Sequence, residues 1–446
     1  MNWTIDQFAR KLRARQVSAL EVTDDCLRQI AADNGRLNAF TLVLADEARQ
    51  QAREADRELA AGFDRGPLQG VPLSIKDLID VNGTPTTAAS RVREGHVARH
   101  DAAAVSRLRA AGAVLVGKTN LHEFAFGTTN EESAFGPARN PHDPTRSPGG
   151  SSGGSAASVA AGMALASLGT DTGGSIRIPA AACGTVGLKP TFDELPTDGV
   201  IPLSRTMDHL GPLAKTVTDT WYVFRALHGG THPKLPEAQP ARHLRLAIPR
   251  PYFCDLLDDS VRSRFDAAVT ALRAAGASIN DTELRRTDLI APAYLHIVFG
   301  DAAAYHGPTL DAVPDRYTRP VRLRLEMARY VLAEDYVRAL QVRQWLRHEV
   351  DVALRGYDAL LLPTLPIPAP SLGAASVRIG TRDEPVRNVM LRLTQLFNLT
   401  GHPAISIPCG VTEEGLPCGL QLVGTRMQAD TLLYVARAVE NTLDES

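Results

Sequence analysis

Over the first sixty residues the apolar positions recur at helical spacing, and two helix starts are marked. Thr4-x-x-Gln7 and Ser18-x-x-Glu21 each fit a capping box, in which a hydroxyl and a carboxyl or amide satisfy the first backbone N–H groups reciprocally. Residues 1–60 are therefore predicted to be packing helices. From Gly70 the pattern changes. Gly-Val-Pro-Leu-Ser-Ile-Lys-Asp at 70–77 is a short apolar run bounded by turn residues, which predicts a buried strand carrying Lys76 at its end. A helical stretch over 101–111 and an apolar run over 113–116 then give helix followed by strand, the alternation that builds a layered α/β sheet. Further strands are predicted at 244–248, 358–362, 403–407 and 419–423, and helices at 261–275, 326–354 and 430–442. The segment 222–355 reads as a semi-independent helical lobe.

Composition narrows the function classes. The 446 residues are 44% hydrophobic and 22% charged, within the ordinary globular range. Lys plus Arg number 48 against 50 Asp plus Glu, a net charge of -2, so no overall basic field exists to hold nucleic acid. Five cysteines form an odd set without a C-x-x-C pair, which argues against a disulfide framework or zinc knuckle and for a reducing cytosol. Neither a basic leader with an apolar core nor a run near the ~20 apolar residues of a membrane span is seen, so export and anchoring are not expected.

Three motifs mimic known sites. Gly112 to Thr119 matches G-x-x-x-x-G-K-[ST] letter for letter, but the residues between its glycines are themselves the predicted strand and leave no flexible turn to cradle phosphate. Gly150-Ser151-Ser152-Gly153-Gly154 satisfies G-x-S-x-G, yet a proline-broken loop precedes it where a nucleophile elbow needs a strand. His96 and His100 lie four apart beside Asp101, but the setting reads as a solvated loop without a third ligand cluster, and no metal is expected.

Between Gly127 and Gly211 the chain is rich in Gly, Ser, Ala and Thr beyond what packing requires. Gly-Gly-Ser-Ser-Gly-Gly-Ser at 149–155 leads into a small-residue helix, which implies close approach by another element. The turn Asp171-Thr172-Gly173-Gly174-Ser175 sets a hydroxyl after two glycines, a geometry that can offer consecutive N–H groups to an oxyanion. With a desolvated lysine at 76, these are the ingredients of a serine and lysine acyl-transfer site without histidine.

The stretch from Gly149 to Thr191 closely resembles the defining segment of the amidase signature family. The match runs through 149–155, Gly-Thr-Asp-Thr-Gly-Gly-Ser-Ile-Arg-Ile-Pro at 169–179 and Cys-Gly-Thr-Val-Gly-Leu-Lys-Pro-Thr at 183–191. Flanking agreement comes at 70–77, 117–124, 208–213 and 403–410. The resemblance implies a single domain over 1–446, with a large mixed β-sheet core covered by helices on both faces. Its motif core would span about 60–220 plus 356–446. It further implies a triad: Ser175 as nucleophile, Ser151 after a cis peptide as proton relay, and neutral Lys76 as base. Lys76 must then titrate well below the ordinary lysine value of ~10.4, as burial would achieve. The N–H groups of Thr172, Gly173, Gly174 and Ser175 would hold the oxyanion. Asp171 and Arg177 would lock the turn, Ser152 would support Lys76, and Phe124, Ala125 and Phe126 would line the acyl pocket. No cofactor is implied.

Residues 127–136 resemble the glutaminase component of the glutamyl-tRNA(Gln) amidotransferase, its A subunit, which frees ammonia from glutamine for a partner protein. Arg343 fits that pattern. Two departures do not: the run 333–340 lacks the Tyr-rich character of that component, and Leu391 stands three residues before Thr394 where a glutamine-reading aspartate is expected. A site without that carboxylate should bind glutamine poorly. The expectation is a stand-alone amidohydrolase of small-molecule amides, anilides or carbamates, either free or as a homodimer. The amidotransferase glutaminase and a carboxybiuret- or allophanate-type hydrolase are the alternatives.

Overall fold

The computed structural model describes residues 3–230 and 239–445. Both predicted capping boxes form: the hydroxyls of Thr4 and Ser18 accept from the backbone N–H groups of Gln7 and Glu21 at the starts of helices Ile5–Arg13 and Ala19–Leu37. The strands are β1 (Phe40–Val43), β2 (Pro72–Lys76), β3 (Val114–Thr119), β4 (Ala166–Asp171), β5 (Val186–Lys189), β6 (His209–Ala214) and β7 (Arg245–Pro249). They continue as β8 (Ser278–Thr282), β9 (Ala359–Pro363), β10 (Ser376–Ile379), β11 (Arg382–Pro385), β12 (Ala404–Val411) and β13 (Pro417–Val423). Eleven of them join one sheet in the order β1-β3-β2-β4-β6-β5-β12-β13-β9-β7-β8, and β10 forms a separate two-stranded sheet with β11.

The sheet is mixed. β2 runs parallel to β3 and β4, and β7 runs parallel to β8 and β9, while the strands between them pair antiparallel. Every residue of β2, β3, β4, β5, β6, β9 and β13 is buried. Successive side chains on a strand point to opposite faces, so complete burial requires helices on both. Helices Gly153–Ala160 and Arg177–Cys183 pack against each other and the middle strands, and Val217–Leu227, Ala429–Asp444 and Asp259–Ala274 form a second packed row.

The segment 222–355 departs from a purely helical lobe. Arg245–Pro249 and Ser278–Thr282 extend the same large sheet, and stretch 231–238 lies outside the described residues. The helix predicted over 326–354 is two, Arg319–Ala328 and Ala333–Ala353. The phosphate-loop mimic is strand β3, and its Lys118 is buried in an ion pair with Asp77 at 3.0 Å. Among the described residues no helix is long and apolar enough to cross a membrane.

Candidate active site

Parallel pairing of β2 with β4 brings their C-terminal ends side by side, Leu73 opposite Ala166 and Ile75 opposite Leu168. Lys76 closes β2 and Asp171 closes β4, at the carboxyl edge where open sheets leave a crevice for ligands. The helix Gly153–Ala160 presses its small residues onto this edge. A Cβ on Gly154 would lie 2.4 Å from the carbonyl oxygen of Asn120, so only glycine fits there. Ser155 and Ser158 reach the Thr119 and Ser74 hydroxyls at 2.8 and 3.0 Å.

Ser151 and Ser152 stand at the entrance to that helix, after a cis peptide between Gly150 and Ser151. Lys76 Nζ is fully buried and meets three hydroxyl oxygens: Ser151 Oγ at 2.8 Å, Ser152 Oγ at 2.8 Å and Thr170 Oγ1 at 2.9 Å. Burial lowers its pKa to about 7, against the pull of the Asp171 and Asp208 carboxylates in the other direction. Thr170 is a member of this group that the sequence reading did not single out, although it lies inside the 169–179 motif.

The turn after β4 carries Thr172, Gly173, Gly174 and Ser175, all but Ser175 sealed from solvent, and Ser175 is only 6% exposed. Among the described residues the N–H groups of Gly173, Gly174 and Ser175 donate to no other backbone or side-chain group of the protein. Buried donors without partners are rare in folded chains. Gly174 has φ +140°, and a Cβ there would lie 2.3 Å from Thr394 Oγ1. The Thr394 hydroxyl donates to the Gly173 carbonyl at 2.6 Å. The Ser175 carbonyl accepts from the Ser152 N–H at 3.2 Å, which ties the turn to the helix entrance.

Behind the turn, all five N–H groups of Arg177 are engaged. Nε and Nη2 meet the two Asp171 oxygens at 3.0 Å each, Nη1 donates to Thr394 O at 3.0 Å and Gln421 Oε1 at 2.7 Å, and Nη2 also reaches Asn398 Oδ1 at 2.7 Å. Burial alone would raise the Asp171 pKa, but Arg177, Lys189 and Asn398 together hold it well below the usual carboxylate range. On the other flank Asp208 accepts from the Thr172 hydroxyl at 2.6 Å and from the Leu203 and Ser204 N–H groups at 2.9 and 3.1 Å. Burial pushes its pKa up to about 6 in spite of these bonds.

Phe124, Ala125 and Phe126 lie next to this group, since the His122 N–H donates to the Ser151 carbonyl at 3.1 Å. Their side chains are buried against other elements. The Phe124 ring stands edge-on to His306 at 4.5 Å, and Phe126 meets Phe299 at 5.7 Å, both partners on the helix Ile290–Ala312. From the same helix Tyr294 reaches the turn: a Cβ on Gly173 would lie 2.3 Å from Tyr294 Oη and 2.9 Å from Leu391 Cδ2. Tyr294 and Leu391 also line a cavity of about 500 Å³. The wider surface groove lined by His96, His100 and Asp101 contains none of the residues around Lys76.

Fold and sequence make this chain an amidase-family hydrolase: it belongs to the amidase family, whose model matches residues 21–433. It is 40% identical over 453 residues to an amidase of Pseudomonas putida, with 98% of this chain and 95% of the relative covered. To the A subunit of the glutamyl-tRNA(Gln) amidotransferase of Koribacter versatilis it is 36% identical over 477 residues, with 99% and 98% covered. A crystal structure of an amidase matches it with a TM-score of 0.92 at 37% identity, over 98% of this chain and 99% of that one.

Proposed function

We propose that the chain is a free-standing amidohydrolase that cleaves the C–N bond of small-molecule amides, anilides or carbamates through Ser175, Ser151 and Lys76. The observation that carries this reading is the set of hydroxyls around a buried lysine whose pKa lies near 7. A neutral amine has two N–H donors and one lone pair. The Ser152 hydroxyl gives its own proton to the Thr170 carbonyl at 3.1 Å, so it must accept from Lys76. With the second N–H directed to Thr170, the lone pair is left for the Ser151 hydroxyl, the arrangement a proton relay requires.

Ser175 Oγ then attacks the substrate carbonyl carbon as its proton passes to Ser151 and the Ser151 proton passes to Lys76. The N–H groups of the turn Thr172–Ser175 stabilise the tetrahedral oxyanion. When the C–N bond breaks, the proton on Lys76 returns through Ser151 to the leaving nitrogen. Water repeats the sequence on the acyl-enzyme and releases the acid. No step calls on a metal or cofactor. We place the reaction in a reducing cytosol, a reading supported by five free cysteines.

The relationship to the amidotransferase glutaminases supports a second reading, release of ammonia from glutamine within a complex. Leu391 opposes it, because an apolar side chain beside Gly173 offers nothing to a substrate ammonium. The test is hydrolysis of glutamine, a short aliphatic amide, an acyl-anilide and an aryl carbamate by wild type and by Ser175→Ala. Cleavage of a non-glutamine substrate that Ser175→Ala abolishes is expected. Cleavage of glutamine alone would put the glutaminase reading in its place, and activity surviving in Ser175→Ala would remove the nucleophile assignment.

A further inference from the structure

The cavity beside Gly173 carries charged side chains that nothing in the mechanism above uses, and one of them lacks a partner. Arg387 lines it together with Tyr294 and Leu391. The Arg387 Nε is buried without a hydrogen-bond partner, and among the described residues the guanidinium makes no ion pair. The carboxylates nearby are otherwise placed. Glu132 is held by His122 at 2.8 Å and by Arg324 at 3.6 Å, and Glu384, the one carboxylate on the cavity wall, makes no ion pair with Arg387. The second arginine of the cavity, Arg392, also has an unpaired Nε, but it is held by Tyr252: its guanidinium lies 3.8 Å from the centre of that ring and donates to the Tyr252 carbonyl at 3.0 Å.

Arg387 is half-buried with its Nε sealed and unpaired, and a planar fork of N–H donors with no counter-charge matches a carboxylate better than any neutral group. Leu391, apolar and facing the same space, would repel an ammonium and tolerate an alkyl or aryl linker. We infer that Arg387 binds a carboxylate on the substrate, so that the cavity selects amides carrying an anionic group over neutral amides of the same shape. This rests on the amidohydrolase reading above and names the substrate class within it.

Two matched pairs test it: butyramide against succinamate, which puts the carboxylate on the acyl side, and acetanilide against 4-acetamidobenzoate, which puts it on the leaving amine. In wild type the carboxylate member of at least one pair is preferred by about tenfold or more in kcat/KM. Arg387→Met brings that ratio close to one, and Arg387→Lys keeps part of it. The ratio cancels any general loss of folded enzyme. Ratios near one in wild type for both pairs, or an unchanged ratio in Arg387→Met, overturn the inference. If wild type cleaves no amide of either kind, the reaction reading fails. Calorimetric binding of succinamate and 4-acetamidobenzoate to wild type and Arg387→Met then decides the carboxylate site alone: binding lost with the arginine supports it, and equal or absent binding refutes it.

Discussion

In the proposed mechanism Lys76 can serve as base only while its amine is neutral, and its surroundings set the pH at which that holds. Burial brings its pKa to about 7, and Asp171 and Asp208 oppose the shift by favouring the ammonium. Activity should therefore rise with pH through about 7, level off above it and be lost as pH falls. Asp208→Asn removes one of the two opposing carboxylates, so the acidic limb of kcat/KM should move to lower pH. A profile that stays put or moves upward would contradict this account. Arg177 makes a stability prediction of the same kind. In Arg177→Met the Asp171 carboxylate stays buried without its partner, and urea denaturation should show a loss of about 3–5 kcal/mol. Lys76, Ser151, Asp171, Ser175 and Arg177 were legible in the sequence because each lies in a short motif. The partners that complete their bonding were not. Thr394, Asn398 and Gln421 reach Arg177 across a long stretch of intervening chain, and no local pattern announces which distant amide or carbonyl will arrive.

At the scale of elements, the small-residue helix Gly153–Ala160 shows how context reverses a propensity. Glycine to alanine inside a helix ordinarily stabilises by up to about 1 kcal/mol. At Gly35, in the helix Ala19–Leu37, an added Cβ meets nothing within 4 Å, and the ordinary gain is expected for Gly35→Ala. At Gly154 the same methyl meets the Asn120 and Ala39 carbonyl oxygens at 2.4 and 2.5 Å, backbone atoms that cannot turn aside. Gly154→Ala should cost about 1–3 kcal/mol. Thermal unfolding of the two variants, with Tm moving in opposite directions, checks both. Strands and capped helices could be read ahead because alternation and capping residues mark them. The break between Arg319–Ala328 and Ala333–Ala353 could not, since Arg-Tyr-Val-Leu at 329–332 contains no glycine or proline. The strand β8 was hidden for a related reason: Ser278–Thr282 has mostly polar, exposed positions, as an edge strand allows.

Across the whole molecule, the sheet extends through the region that sequence alone read as a helical lobe, and that region delivers Tyr294 to the turn that carries Ser175. With Leu391 beside it, the residues proposed to act all belong to this chain. On the free-standing reading, hydrolysis should elute from size exclusion with this protein alone and need no second polypeptide. Activity that appears only when another protein is added would refute that. The wiring of Arg177 also has a consequence in time. Its guanidinium belongs to the first half of the chain, but its last acceptor, Gln421, lies in β13, which pairs with β9 and β12 near the C-terminus. A ribosome adding roughly 5–20 residues per second separates the emergence of these two pieces by tens of seconds. The motif that defines the site is thus made early and finished late, so a nascent chain carries the serines and the lysine without the brace that aligns them until nearly all of it has emerged.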